Sequence, residues 1–331
     1  MFACFPSKWL VSVAGLALLA LGCASAEPPK PQTPPPPTPP QQQKFASPQS
    51  AVGSLVSALR AGDQAQLGQI FGPDDSEIIS SGDPVADRSE ISRFLAAYDA
   101  QHRLQREPDG RYTLIVGTAD WPFPVPILKS GDQYVFDSDA GKDEILNRRI
   151  GRNELSTELV CLAIVDAQRD YVALRPMGGD LPAYAQKIVS DPGTKNGLYW
   201  PTKEGEKPSP LGVLAALAAA EGYGTTRPAG NRPPPYHGYR YRLLTAQGPH
   251  AEGGAADYRV DGQLIGGFGV VAYPAQYGNS GITTFITNHD GIVYQRDLGP
   301  DTERIAESMT QFDPDPGWTK ATDASRATYG N

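Results

Sequence analysis

Residues 143–171 read DEILNRRIGRNELSTELVCLAIVDAQRDY, and this stretch decides the fold. Its apolar spacing predicts one helix of roughly 30 residues, about 45 Å long at 1.5 Å per residue. Two adjacent stripes recur at helical spacing, one of Leu155, Leu159 and Leu162 and one of Val160, Ile164, Ala167 and Tyr171. No polar residue interrupts 159–165, so we expect Leu159, Leu162 and Ile164 to be almost fully buried. We call this predicted helix the spine.

The residues before the spine predict a small α+β domain over 45–140, with helices first and strands after them. Ser47-Pro48 is typical of a helix start, Gly62 ends that helix, and Asp63 and Asp87 are predicted to cap two further helices. Strands are predicted at 112–116, 123–128 and 134–136. This element order suggests a cone-like domain of helices on an antiparallel sheet.

The spine and the residues after it predict a second α+β domain over 141–311, made of the long helix and an antiparallel sheet. We expect a short helix over 181–188, a buried helix over 211–220 and a final helix over 302–309. The intervening strands are predicted at 239–245, 257–260, 263–265, 269–273, 282–287 and 292–295, with Asp-Gly pairs marking two tight turns. Residues 312–331 are predicted to be a loose polar tail.

The first 44 residues predict export and a spacer. Residues 1–26 resemble a signal peptide, because Lys8 precedes an apolar run too short to span a bilayer permanently. Cys23 follows Ala20-Leu21-Gly22 as in a bacterial lipobox, which predicts lipidation, whereas 24–26 equally fit ordinary signal cleavage. Residues 27–44 are rich in proline and predict an extended spacer on the order of 50 Å long.

Charge and cysteine content narrow the possible partners. The 331-residue chain has a net charge of -8, which argues against sequence-independent nucleic-acid binding. No block of Lys or Arg predicts attraction to anionic lipid, so membrane contact is expected only through the lipid anchor. Of the 3 cysteines, Cys161 alone lies in the folded body, where we interpret it as a small buried hydrophobic residue.

Seven stretches resemble a bacterial family known as domain of unknown function 2950. They are SSGDPVADR (80–88), DWPFPVPI (120–127), NRRIGRNEL (147–155), GLYWP (197–201), SPLG (209–212), AYPAQYGNSG (272–281) and TFITNHDGIVYQRDLGPDT (284–302). The resemblance covers nearly all of the chain after the spacer. It implies a secreted envelope protein, and it implies no activity.

The C-terminal half also resembles the soluble domain of a type IV pilin or type II secretion pseudopilin. The order of the spine, YHGYRYRLL, GGFGVVAYPAQYG and SGITTFITNHDGIVYQRD carries this resemblance. It implies a helix that packs across an antiparallel sheet, with Phe285 or Ile286 against 159–167. A pilin helix starts at the N-terminus with an apolar assembly segment, whereas this one follows another domain and starts with charged residues.

Several polar groups are candidates for a site. Asp83, Asp87 and Arg88 could form a carboxylate–guanidinium site, or simply a helix cap with an ion pair. Arg148, Arg149, Arg152 and Asn153 could form a hydrogen-bonded hub between domains, or a solvated helix face. The pilin resemblance makes Asp297, Asp301 and Glu303 weak calcium candidates, although Asp301 could instead cap the following helix.

No cofactor, zinc-binding, phosphate-binding or nucleophile motif is recognisable, so we expect a non-enzymatic envelope module for binding or assembly. Its partner is expected to be an envelope protein that adds a strand to the sheet edge at 239–244. A second hypothesis is an envelope hydrolase that uses His237, His250 or His289 with Asp290. A third is a ligand-binding cone in the first domain, with a deep apolar cavity beneath Trp121. A separate set of aromatic residues could line a groove, or simply pack in the core and on strand faces: Trp121, Phe123, Tyr199, Trp200, Tyr236, Tyr239 and Tyr241.

Overall fold

The computed structural model describes residues 41–73, 76–178, 181–223 and 235–321, which belong to one compact unit. The predicted signal peptide, Cys23 and most of the spacer lie outside the described residues. The described end of the spacer packs on the body, since the Gln42 side chain donates to the Ile70 and Phe136 carbonyls at 3.1 and 2.7 Å. Within the described part, no helix is long and apolar enough to cross a membrane.

Four helices open the body, and their ends follow the capping residues in the sequence. Ser47 accepts the Ser50 amide at the start of the first helix and Asp63 accepts the Gln66 amide at the start of the second. Gly62 ends the first helix in a left-handed conformation, as predicted. The helices are α1 (Pro48–Ala61), α2 (Gln64–Phe71), α3 (Ser76–Ile79) and α4 (Pro84–Ala100).

A five-stranded sheet follows these helices. Its strands are β1 (His102–Arg106), β2 (Tyr112–Val116), β3 (Trp121–Pro122), β4 (Ile127–Ser130) and β5 (Gln133–Phe136). The order is β1-β2-β4-β5, all antiparallel, with β3 paired to β2. The three prolines of 122–126 leave only short strands on either side of that segment. The first core lies between the sheet and the helices and includes Leu55, Ile70, Leu114, Ile127 and Phe136.

The predicted spine is helix α5 (Ser138–Leu174), which has 37 residues and begins at the Asp137 cap. Gly141 lies against Val125 of the first part, where a Cβ would come within 2.6 Å of the valine side chain. The prediction of which face of α5 is buried is wrong in part. Ile164 is buried, but Leu159 and Leu162 are only half-buried. The fully covered face instead contains Val160, Cys161, Ile164, Val165, Ala167 and Tyr171.

The segment after α5 differs from the prediction in two places. The helix expected at 181–188 is wrong, because that region contains strand β6 (Lys187–Val189), which pairs in parallel with β7 (Gly197–Tyr199). Helix α6 (Gly212–Glu221) is confirmed, but it is not buried. Val213 and Leu217 are 68% and 56% exposed. Apolar composition alone did not reveal that no described element covers one side of α6.

The C-terminal half is built from short strands and one more helix. These elements are β8 (Tyr239–Leu244), β9 (Ala246–Gln247), β10 (Ala256–Asp257), β11 (Arg259–Val260), β12 (Gln263–Leu264), β13 (Gly269–Pro274), β14 (Thr283–Asn288), β15 (Tyr294–Asp297), α7 (Thr302–Ser308), β16 (Gln311–Phe312) and β17 (Thr319–Lys320). The main sheet has the order β17-β15-β14-β13-β8. Small antiparallel pairs join β9 to β10 and β11 to β12, and β16 runs parallel to β9.

The spine packs across the main sheet as predicted. Phe285 of β14 shares a buried cluster with Cys161 of the spine. The neighbouring Ile286 points to the other face, where it packs with Ala306 of α7 and with Phe312. Strands β13, β14 and β15 are consecutive antiparallel neighbours, also as predicted. The expectation of a loose tail is wrong as far as residue 321, because β16 and β17 join the sheets.

Candidate functional site

Polar side chains from three distant segments meet at the N-terminal half of the spine. The Arg149 side chain is buried, and its guanidinium donates to the Glu77 carbonyl at 2.8 Å and to the Asn279 side-chain oxygen. One turn further, Asn153 donates to the Ser280 carbonyl at 2.8 Å. These bonds join the spine to the α3 region and to the turn between β13 and β14. We call this cluster the hub.

Glu154 extends the hub toward the main sheet. One of its carboxylate oxygens accepts the backbone amides of Ile282 and Thr283, both at 3.0 Å. The three neighbouring spine residues Arg149, Asn153 and Glu154 therefore bond to one turn, 276–283, through a side chain, a carbonyl and two amides. The hub fixes that turn to the spine because buried polar groups need hydrogen-bond partners.

The segment 80–88 forms the third side of the hub. Asp83, not Asp87, caps α4, because its Oδ1 accepts the Val85 and Ala86 amides at 3.1 Å. Its other oxygen accepts the Tyr223 hydroxyl at 2.7 Å in a buried setting. Asp87 instead accepts the Ser81 amide at 3.1 Å. The predicted cap at Asp87 is wrong by one helical turn, since the helix begins at Pro84.

Asn279 closes the hub by bonding to both other segments. Its Nδ2 donates to the Ser81 carbonyl at 3.2 Å and to the Gln276 side chain at 2.7 Å. Gly82 has φ +80°, and a Cβ there would lie 2.7 Å from the Gln276 amide group. This close approach requires glycine. Three of the seven stretches that carry the family resemblance, 80–88, 147–155 and 272–281, therefore converge at the hub.

Burial of the hub lowers the pKa of Arg149 through desolvation, and the charges of Asp87 and Glu90 oppose that shift. Its two hydrogen-bond acceptors are a carbonyl and an amide, so no carboxylate neutralises it directly. A buried cation held by neutral acceptors and nearby carboxylates is a positioning element. The geometry therefore gives Arg149 the role of a structural clamp.

The other predicted arginines lie outside the hub. Arg148 donates to Glu144 at 2.7 Å and to the Pro122 carbonyl at 2.9 Å, and it lies over the Trp121 ring at 5.1 Å. Arg152 pairs with Glu90 at the surface. The Arg88 side chain makes no hydrogen bond or ion pair with another described residue. Of the four spine residues that the sequence singled out, Arg149 and Asn153 are thus the two that bond to the turn 276–283.

Several participants in the hub were not predicted from sequence. Glu154 and Asn279 occur in the quoted stretches NRRIGRNEL and AYPAQYGNSG, so polar residues inside those stretches were a usable signal. Glu77 contributes a backbone carbonyl, which no side-chain pattern reveals. Tyr223 follows the apolar helix α6, and its pairing with Asp83, 140 residues away, left no local trace.

The histidines of the hydrolase hypothesis lie apart from one another. His237 is 3.5 Å from Glu221, and His289 is 3.7 Å from Asp290. His250 contacts Asp313 at 3.0 Å, but its side chain is half-exposed. Burial lowers the pKa of His237, and the charges of Glu221 and Asp83 oppose that shift. No described Ser, Thr or Cys side chain hydrogen-bonds to these rings, so the described geometry assembles no nucleophile with a base.

The calcium candidates hold local partners. Asp297 accepts the Gly299 amide at 2.7 Å and the Tyr277 hydroxyl at 3.2 Å. Asp301 pairs with Arg304 at 2.8 Å, and it precedes α7 without a side-chain capping bond. Across the residues described, no three His, Cys, Asp or Glu side chains are placed to hold one metal ion.

The aromatic residues that could line a groove are instead distributed over several packing sites. Tyr239 is fully buried between the sheet and the spine, and Trp200 packs on Tyr171 with ring centroids 6.3 Å apart. Trp121 is 40% exposed. Beside it lies a groove of about 490 Å³ that is lined by prolines, Phe123 and charged side chains, including Glu144 and Arg148. It differs from the deep apolar cavity expected of the cone.

Comparison with known proteins assigns the chain at the level of family. No curated protein and no solved structure matches it, so the resemblance to pilins is not confirmed. A family model described as "Protein of unknown function (DUF2950)" matches residues 42–321, which include every described segment of the hub. The chain therefore belongs to the DUF2950 family of proteins of unknown function.

Proposed function

We propose that the chain is an exported, lipid-anchored protein of the bacterial cell envelope that acts as a non-enzymatic binding or assembly module. The first support is that the polar residues of the hub form bonds within the protein. The hub engages Asp83, Arg149, Asn153 and Glu154 in bonds that hold the body together. An assembly protein needs such a rigid body to present a surface.

The observation that carries the proposal is the apolar surface beside a sheet edge. Strand β8 has a hydrogen-bonded neighbour on one side only among the described strands, namely β13. Leu214 of α6 and Tyr241 of β8 belong to the same hydrophobic cluster. The outer side of α6 exposes Val213 and Leu217. Exposed apolar surface next to a strand edge that no other described strand covers is typical of protein–protein contact sites.

The binding surface is tested by cross-linking in the native envelope. Leu217→Glu places a charge on the exposed side of α6 and leaves the core intact. We expect it to remove a cross-linked partner that Val260→Glu, a matched change at a 48% exposed valine on β11, retains. An identical cross-linking pattern in the wild type and both variants would refute the assembly surface.

The anchor is tested separately. Cys23→Ser removes the thiol that a lipobox would acylate, so we expect the variant to lose acyl labelling and to leave the membrane fraction. A wild-type protein recovered wholly in the soluble fraction with Glu27 as its first residue would contradict lipid anchoring. It would leave the proposed partner surface on α6 and β8 unaffected.

A further inference from the structure

The groove beside Trp121 combines surfaces of opposite chemistry. It lies where the β1–β2 turn, the segment 122–126 and the first turns of the spine meet. Its volume of about 490 Å³ falls within the range of roughly 300–1,000 Å³ that is typical of small-molecule sites. It is separate from α6 and β8, so a ligand here would be independent of the proposed assembly surface.

Part of the groove lining, which we call the proline wall, is rigid and presents C–H groups. Pro122, Pro124 and Pro126 line it together with Phe123. Proline rings fix the backbone, and Phe123 is held from behind by Phe94 with ring centroids 5.2 Å apart. This wall is preorganised for a flat ligand face, which reduces the entropic cost of binding.

The rest of the lining includes planar charged groups. Arg111 pairs with Asp109 at 2.6 Å, and Arg148 pairs with Glu144 at 2.7 Å. Glu107 lines the groove as a third carboxylate, and it accepts the Gln105 side chain at 3.2 Å. Each guanidinium is thus already paired with a carboxylate. The arginines retain N–H groups, and the carboxylates retain oxygen lone pairs, for further hydrogen bonds.

This combination excludes several ligand classes. Three carboxylates against two guanidinium groups disfavour an anion, and five charged side chains disfavour a purely apolar molecule. A peptide strand would need amide donors along the wall, but three positions are proline and the Phe123 amide already donates to the Leu114 carbonyl at 2.7 Å. The remaining ligand class has neutral hydroxyls at its edges and C–H faces on its rings.

We propose that this groove binds a neutral oligosaccharide. The pyranose faces would lie on the proline wall, which includes the Phe123 ring. Adjacent hydroxyls would donate to Glu144 and Glu107 and accept from Arg111 and Arg148 through charge-assisted bonds. The ligand is identified by this chemistry, and the proposal does not rest on the assembly role.

The test is calorimetric titration of the purified full chain with cellotetraose, xylotetraose, maltotetraose and chitotetraose, and with hexalysine as the cationic alternative. We expect at least one tetrasaccharide to bind. Glu144→Gln and Arg111→Ala, two changes in the groove lining, should each weaken that binding at least about tenfold. Asp132→Asn, a matched carboxylate change on the exposed β4–β5 turn outside the groove, should leave it unchanged.

Three outcomes would overturn the proposal. The first is that none of the four sugars binds at concentrations up to about 10 mM, which corresponds to a binding free energy under about 3 kcal/mol. The second is that hexalysine binds more tightly than any sugar. The third is that sugar binding survives both variants. If Glu144→Gln does not fold, Glu107→Gln replaces it, because Glu107 has no arginine partner in the groove to release. Thermal melting of each variant shows whether it is folded before titration.

Discussion

Arg149→Ala is the sharpest test of the hub. The change removes the charge-assisted bonds to the Glu77 carbonyl and to Asn279, and each such bond contributes about 1.5–3 kcal/mol. The buried acceptors left unpaired add to the loss. We therefore expect the unfolding free energy to fall by about 3–5 kcal/mol, in line with the cost of breaking a buried charged network.

The matched control is Arg152→Ala, which removes the same side chain three positions later. Arg152 pairs with a half-exposed Glu90 at the surface, and surface ion pairs contribute at most about 1 kcal/mol. Both variants are measured by urea denaturation of the full chain, with fluorescence and circular dichroism as probes. Equal losses in the two variants, or a loss under about 1 kcal/mol for Arg149→Ala, would refute the hub as a stabilising clamp.

Other predictions concern the spine, a tight approach and pH. Ile164→Ala should cost about 2–5 kcal/mol in urea denaturation, and Leu159→Ala should cost clearly less because its side chain is half-buried; equal costs would contradict the assigned face. Gly82→Ala should lower the melting temperature, since φ +80° and the contact with Gln276 both oppose a Cβ; an unchanged melting temperature would contradict that contact. Burial lowers the pKa of His237 in the folded state, so the unfolded state binds the proton more tightly and stability falls as pH drops below about 6.5. His237→Asn, which tolerates the left-handed φ, should flatten the slope of unfolding free energy between about pH 5 and 7, and an unchanged slope would exclude this contribution.

Local signals predicted local structure well. Ser47-Pro48, Asp63 and Gly62 set the limits of the first two helices because capping involves only neighbouring residues. The Asp290-Gly291 turn likewise lies between β14 and β15 as predicted. These elements depend on interactions within a few residues, which a single sequence contains.

Predictions that depend on which element packs against a segment were wrong or incomplete. Apolar spacing could not decide between two adjacent stripes of the spine, and the sheet covered Cys161 and Ile164 while Leu159 and Leu162 stayed half-exposed. The segment 181–188 was assigned as a helix, yet its end pairs with β7 in parallel. The hub was foreseen only as a group of polar spine residues, because its partners lie 72 and 130 residues away from Arg149.

The large sequence separation between the hub residues affects how the chain folds during its synthesis. Asn279 and Ser81 are 198 residues apart, and a ribosome that adds about 5–20 residues per second needs about 10–40 s to separate their appearances. During that interval the N-terminal part can form its helices and its first sheet, but Asn279 is not yet present to accept from Arg149 or to donate to the Ser81 carbonyl. We expect a nascent chain that ends before residue 276 to be more susceptible to proteases at segment 80–88 than the finished protein.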